Sequence, residues 1–181
     1  RLQGDWSSDV CSSDLENVSG LAARILRNFD IGGADSALIV SSSGCNVVPV
    51  EMAEAFQKRG VRVVALVSAA HAEASTSKHP AGKKLTDFAD LVLDTGAPVG
   101  DAMVRIDGLE TPVAPGSTVG GCLIVNAIKA EVAKLLTEAG QPPKVLTAGV
   151  VLGVAKAEAL FEAAYDEHGR RLARYYQNLG T

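Results

Sequence analysis

The segment Ala37-Leu38-Ile39-Val40-Ser41-Ser42-Ser43-Gly44-Cys45-Asn46 constrains this chain more than any other: an apolar run stops at a loop of hydroxyls and one glycine, and a helical pattern begins near Val48. Short, continuous apolar runs are how strands buried in a parallel sheet read. A loop of small residues lets backbone N–H groups come close to an anion, and the free N–H groups of the following helix add partial positive charge. Each hydrogen bond to a charged phosphate oxygen contributes roughly 1.5–3 kcal/mol. Several converging donors could therefore hold a phosphate without any Lys or Arg. An ordinary Ser-rich strand-to-helix turn fits the same spacing.

Two further runs repeat the pattern. Val61 to Val67 is β-branched and nearly all apolar, ending at Ser68, and Leu91-Val92-Leu93-Asp94 reads as a third strand. A helical pattern over Val18, Leu21, Ile25, Leu26 and Phe29, ended by Gly32-Gly33, precedes the first strand. Val50, Met52, Ala53 and Phe56 mark a helix between the first two strands, stopped by Gly60, and Lys83 to Ala89 a short helix before the third. Strands alternating with helices predict right-handed crossovers and an α/β fold with a parallel sheet. Ligands of such sheets sit beyond the carboxyl ends of the strands, an edge shared here by Ser41 to Asn46, Ser68, and Asp94 with Thr95. Thr95 to Pro115 is a long connection with room for a hairpin pairing Met103 to Ile106 with Thr111 to Ala114. Ser117 can cap an apolar helix from Val119 to Ala139. Gly120-Gly121 near its start suits either a close backbone approach to a ligand or tight helix packing. Lys144 to Val151 is predicted as a further strand, and Ala155 to Gln177 as a terminal helix with a charged, solvated face.

Composition narrows the functional classes. The 181 residues carry a formal net charge of −4 and no Lys/Arg stripe, which argues against nucleic acid as the main partner. No apolar run approaches the roughly 20 residues needed to span a bilayer, and no charged region followed by an apolar stretch marks a signal peptide. A cytoplasmic protein with no membrane partner is expected. The three cysteines show no CxxC spacing, and His71, His79 and His168 lie in separate segments. Neither a disulfide framework, a metal site nor a cofactor is predicted. Arg1 to Leu15 holds the only Trp and has no clean period. It resembles translated sequencing adapter, so residues 1–15 are expected to be a non-native or disordered leader, with the domain at 16–181.

The residues from Glu16 onward resemble the SIS (sugar isomerase) domain, in particular a bacterial subgroup of SIS-domain proteins. The resemblance rests on Ser41-Ser42-Ser43-Gly44 with Asn46, on Val48-Pro49-Val50-Glu51-Met52-Ala53, and on Ser75 to Leu85 ending HPAGKKL. Ala97 to Ala102 (APVGDA) and Ala114 to Gly121 (APGSTVGG) complete it. It implies a flavodoxin-like three-layer sandwich that binds a small-molecule sugar phosphate as an isomerase, a lyase or a regulatory module, and a homodimer for the full-length protein. It also implies that Ser41, Ser43, Gly44, Asn46 and Ser68 hold the phosphate, with Ser117 and Thr118 nearby. Two departures stand out. Members of the family carry another strand upstream of Glu16, placed beside Ala37 to Val40, so a chain truncated there would leave one edge of that strand unpaired. Cys45 replaces a basic residue, which removes one direct phosphate contact.

An aldose–ketose isomerase needs a base to move a proton between adjacent carbons and a donor to stabilise the developing oxyanion. Asp101 and Glu51 are the candidate bases, and His79 or His71 could assist ring opening. Each has a plainer role available: Asp101 as a turn residue, Glu51 as a helix N-terminal charge, the histidines as solvated loop groups. The alternatives to an enzyme are a phosphosugar-sensing module without chemistry, and an inactive fragment of either.

Overall fold

A computed structural model of the chain describes residues 15–178, so the expected leader lies, Leu15 apart, outside the described residues. Strands β1 (Ser36–Val40), β2 (Arg62–Val67) and β3 (Leu91–Asp94) form one sheet in the order β1-β2-β3. Both pairings are parallel, with Ile39 opposite Ala65 and Ala65 opposite Val92. Helix α1 (Leu21–Leu26) precedes β1, and α2 (Val47–Lys58) joins β1 to β2. Helix α3 (Ala69–Ala74) and a 3₁₀ turn (Leu85–Phe88) lie between β2 and β3. This is the α/β arrangement with a parallel sheet that the alternating patterns predict, and it agrees with the flavodoxin-like fold that the resemblance implies. Helix α3 is an addition, since its small and polar residues carry no apolar period; the Ser68 cap starts it.

The side chains explain the sidedness of the sheet. Val63, Ala65 and Val67 alternate onto one face, where they pack with Val50 and Ala53 of α2, Ala72 and Leu85 in one buried cluster. Burying a Val or Leu side chain contributes roughly 1.5–3 kcal/mol relative to leaving it exposed, so this face anchors the domain. On the other face Leu66 is fully buried, while Leu38, Val40 and Leu91 are exposed. Strand β1, whose apolar run reads as buried, instead alternates between half-buried and exposed positions. Its neighbour among the described residues is β2 alone, and only the central strand receives cover from both sides.

Beyond β3, β4 (Ala102–Val104) and β5 (Val113–Pro115) make the expected antiparallel hairpin, with Ala102 opposite Pro115 and Val104 opposite Val113. Helices α4 (Gly116–Glu138), α5 (Gly149–Leu152) and α6 (Val154–Asn178) follow. The described residues fall into two compact units that divide within α4, between Val125 and Asn126. In the second unit the strand predicted at Lys144 to Val151 does not form: 141–148 is irregular and α5 takes up the rest. A β-branched run becomes a strand only beside another strand, and none of the described residues supplies one in this unit. Lys144 is held by α6 instead, pairing with Glu167 at 2.6 Å and donating to the Ala163 carbonyl at 3.3 Å. No helix among the described residues is long and apolar enough to cross a membrane.

Candidate functional site

The carboxyl ends of the strands open into a cleft of about 430 Å³ within the first unit. Ser41, Ser42, Ser43 and Asn46 line it from the loop after β1, Thr95 from the end of β3, and His71 from α3. Ser117 and Thr118 line it from the start of α4, and Glu16 closes the roll of polar groups. Five of the residues expected to hold a phosphate (Ser41, Ser43, Asn46, Ser117 and Thr118) thus converge on one space, though they come from segments up to 77 positions apart.

The loop after β1 is held open from within. Gly44 takes φ +63°, a conformation that L side chains rarely adopt, and its N–H donates to Ser41 Oγ at 3.2 Å. The Cys45 N–H donates to Ser43 Oγ at 3.3 Å. Both hydroxyls act as acceptors inside the loop and keep their own protons for donation outward. Ser42 Oγ, in the same bend, is buried and has no hydrogen-bond partner among the described residues. Buried polar atoms are almost always satisfied, and this hydroxyl, closed off from solvent inside the bend, is an exception. Cys45 is buried, its thiol directed to the carbonyls of Ser43 and Ser75.

The opposite wall is set by one connection, residues 95–101. Asp101, at φ +68°, accepts from the Ser117 N–H at 2.6 Å and from Ser117 Oγ at 2.7 Å, while its own carbonyl accepts from the Gly116 N–H at 2.7 Å. The Ser117 hydroxyl beside it, together with the Ser117 N–H and the nearby His71, holds the Asp101 carboxyl below its ordinary range. Two of the unpaired N–H groups at the start of α4 are thereby engaged, leaving that of Thr118. Gly120 permits this closeness: a Cβ there would fall well inside 3.0 Å of the Thr95 carbonyl oxygen. Tight helix packing, rather than direct contact with a ligand, therefore accounts for Gly120. The Gly100 N–H donates to His71 Nδ1 at 3.1 Å.

The other expected site residues are placed elsewhere. Ser68 is fully buried; its hydroxyl donates to the Ala97 carbonyl at 2.7 Å and accepts from the His71 N–H at 3.1 Å. Gly44 is buried beneath the bend it shapes. Glu51 accepts from Ser19 Oγ at 2.7 Å and from the Gly20 N–H at 2.9 Å, which fixes the entry to α1. His79 accepts from the Ala81 N–H at 3.3 Å within its own turn. None of these, nor Asp101, lines the cleft. Glu16 is the polar lining residue that the sequence does not single out, since it stands at the border of the expected leader. The Asn46 side-chain amide donates to its carboxylate, and the Val48 N–H donates to its carbonyl at 2.9 Å. Among the described residues no group of three or more His, Cys, Asp or Glu is placed to hold a metal ion.

A family model described as "SIS domain", a phosphosugar-binding family, matches residues 3–68, and the parallel α/β sheet agrees with that fold. UPF0309 proteins align over most of the chain. One from Streptomyces coelicolor is 40% identical over 141 residues, covering 78% of this chain and 56% of the relative. One from Halalkalibacterium halodurans is 39% identical over 142 residues, 78% of this chain and 59% of the relative. One from Listeria monocytogenes is 32% identical over 170 residues, 94% of this chain and 68% of the relative. The chain belongs to the UPF0309 family. It spans somewhat more than half the length of the first two of these relatives.

Proposed function

We propose that the cleft binds a sugar phosphate and that the protein is a sugar-phosphate isomerase of the aldose–ketose type. The observation that carries this is the convergence of Ser41, Ser42, Ser43, Ser117 and Thr118 on one space at the carboxyl edge of the sheet. Hydroxyl-bearing residues lining one space beside a helix N-terminus suit a phosphate even though no Lys or Arg lines the cleft. The volume is that of a small-molecule site rather than a groove for a polymer. A non-catalytic phosphosugar sensor is favoured by one observation: Asp101 and Glu51, the two candidate bases, are both engaged by partners and neither lines the cleft.

Titration calorimetry with inorganic phosphate and a panel of pentose, hexose and amino-sugar phosphates tests the binding. Ser43→Ala is expected to weaken every phosphorylated ligand about tenfold or more, one charge-assisted hydrogen bond being removed. Failure of the unaltered protein to bind any member of the panel overturns the assignment. Turnover then separates enzyme from sensor.

A further inference from the structure

We propose that the Asp101 carboxylate competes with the ligand's phosphate for the start of α4, so that binding at the cleft displaces it and frees the β4–β5 hairpin; this regulation rests on the phosphate-binding cleft proposed above. Ser117 serves two places at once. It lines the cleft, and its N–H and Oγ both donate to Asp101, at 2.6 and 2.7 Å. A serine hydroxyl has one proton to give. Given to Asp101, that proton is withheld from the cleft, whereas Ser41 and Ser43 accept bonds within their own loop and keep theirs. The carboxylate also sets a negative charge at the N-terminus of a 23-residue helix, where an anionic ligand gains from the helix dipole. Asp101 and a phosphate therefore ask for the same donors and the same partial charge.

The carboxylate is brought to this point under strain. A helix is ordinarily capped by the side chain of the residue just before it. Pro115 precedes α4 and has no side-chain acceptor, so the acceptor comes from 16 positions upstream of Ser117. Asp101 takes φ +68° and Ala114 φ +69°, and among the described residues these are the two positive φ values outside glycine. They stand one on each arm of the β4–β5 hairpin. Such backbone conformations persist only where surrounding contacts enforce them. For Asp101 those contacts are the two bonds from Ser117 and the bond from the Gly116 N–H to its carbonyl, at 2.7 Å. The hairpin packs on the same spot: a Cβ on Gly116 would stand 3.0 Å from Met103 Cγ and Sδ. Loss of the carboxylate contact thus loosens the backbone at Asp101 and the hairpin beside it. The Ser117 hydroxyl, released, turns about its Cα–Cβ bond toward the cleft.

The sign of one substitution tests this. In calorimetry with inorganic phosphate and the sugar-phosphate panel, Asp101→Ala, which removes both acceptor and charge, should tighten binding about tenfold. Asp101→Asn, which keeps an acceptor for Ser117 and drops the charge, should tighten it about threefold. The gain should disappear in the Asp101→Ala/Ser117→Ala double variant, because it passes through the Ser117 hydroxyl. A carboxylate that only shapes the wall predicts the reverse, weaker binding once it is removed. Circular dichroism checks that each variant is folded, and if Asp101→Ala is not, the near-isosteric Asp101→Asn carries the test. Hydrogen exchange of the backbone amides of 102–116 in the unaltered protein should quicken when phosphate is added; unchanged exchange overturns the release of the hairpin. Unchanged or weaker binding in both Asp101 variants overturns the competitor and leaves the phosphate site standing. No binding of inorganic phosphate or of any sugar phosphate, by the unaltered protein and by Asp101→Ala alike, removes the site itself and the competitor with it.

Discussion

Ser43 and Ser68 follow neighbouring parallel strands at the same edge of one sheet, yet their hydroxyls have opposite fates. Ser43 lines the cleft and accepts one bond at 3.3 Å from the Cys45 N–H. Ser68 is fully buried, donating to the Ala97 carbonyl at 2.7 Å and capping α3 through the His71 N–H. Both are serines within three residues of a strand end. The difference comes from chain that arrives from elsewhere: residues 95–101 cross above the end of β2 and bring a carbonyl that needs a donor, whereas the bend after β1 meets open cleft. A hydroxyl at a strand end thus stays open to the cleft only where no backbone acceptor reaches it first.

Substitutions can break this contrast. Ser68→Ala removes a helix cap and leaves the buried Ala97 carbonyl without a donor, so urea unfolding should show a loss of about 2–4 kcal/mol. Ser43→Ala should cost less than about 1 kcal/mol of stability, its effect being on phosphate affinity. A Ser68→Ala protein of full stability but weakened phosphate affinity would put the two serines back in one class. Gly120→Ala drives a methyl against the Thr95 carbonyl; overpacking of this kind costs about 1–3 kcal/mol. It should also weaken phosphosugar binding by moving Ser117 and Thr118, and an unchanged affinity would show that the start of α4 is not a wall of the site.

The smallest expected effect concerns pH. Asp101 is held below the ordinary carboxylate range by the Ser117 hydroxyl, so the folded state favours its ionised form. Its stabilising contribution is complete above the pKa of the unfolded chain and disappears as pH falls through the lower folded value. Asp101→Asn should therefore be less stable near neutral pH and lose less on acidification. Some slope should remain, because Asp94, bonded by the Ala69 and Gly96 N–H groups, is shifted in the same direction. An Asp101→Asn protein with an unaltered pH profile would mean that the clamp on α4 does not depend on charge.

Much of the fold was legible because it is local. Apolar runs bounded by glycine and hydroxyls located β1, β2, β3 and α2, and the order of strand and helix required parallel pairing. The long connection announced a hairpin within two residues of its place. Legibility failed where a segment depends on a neighbour: the β-branched residues of 144–151 found no strand to pair with, and α3 formed on a single serine cap. In the site, small hydroxyl residues beside glycine pointed to the bend from Ser41 to Asn46, and the family resemblance added Ser117 and Thr118. Glu16 carried no such signal, since a lone glutamate at the border of an aperiodic stretch gains meaning only when Asn46 is seen to hold it.

The order of strands and helices and the hydroxyl bend after β1 were set by the sequence, because periodicity and turn chemistry act over a few residues. Which serines face a ligand, which acids are tied into the scaffold and which carboxylate reaches the cleft were decided by the tertiary structure alone. Those outcomes depend on competition for hydrogen bonds among segments far apart in the chain, and that competition begins only when folding brings their donors and acceptors within about 3 Å of one another.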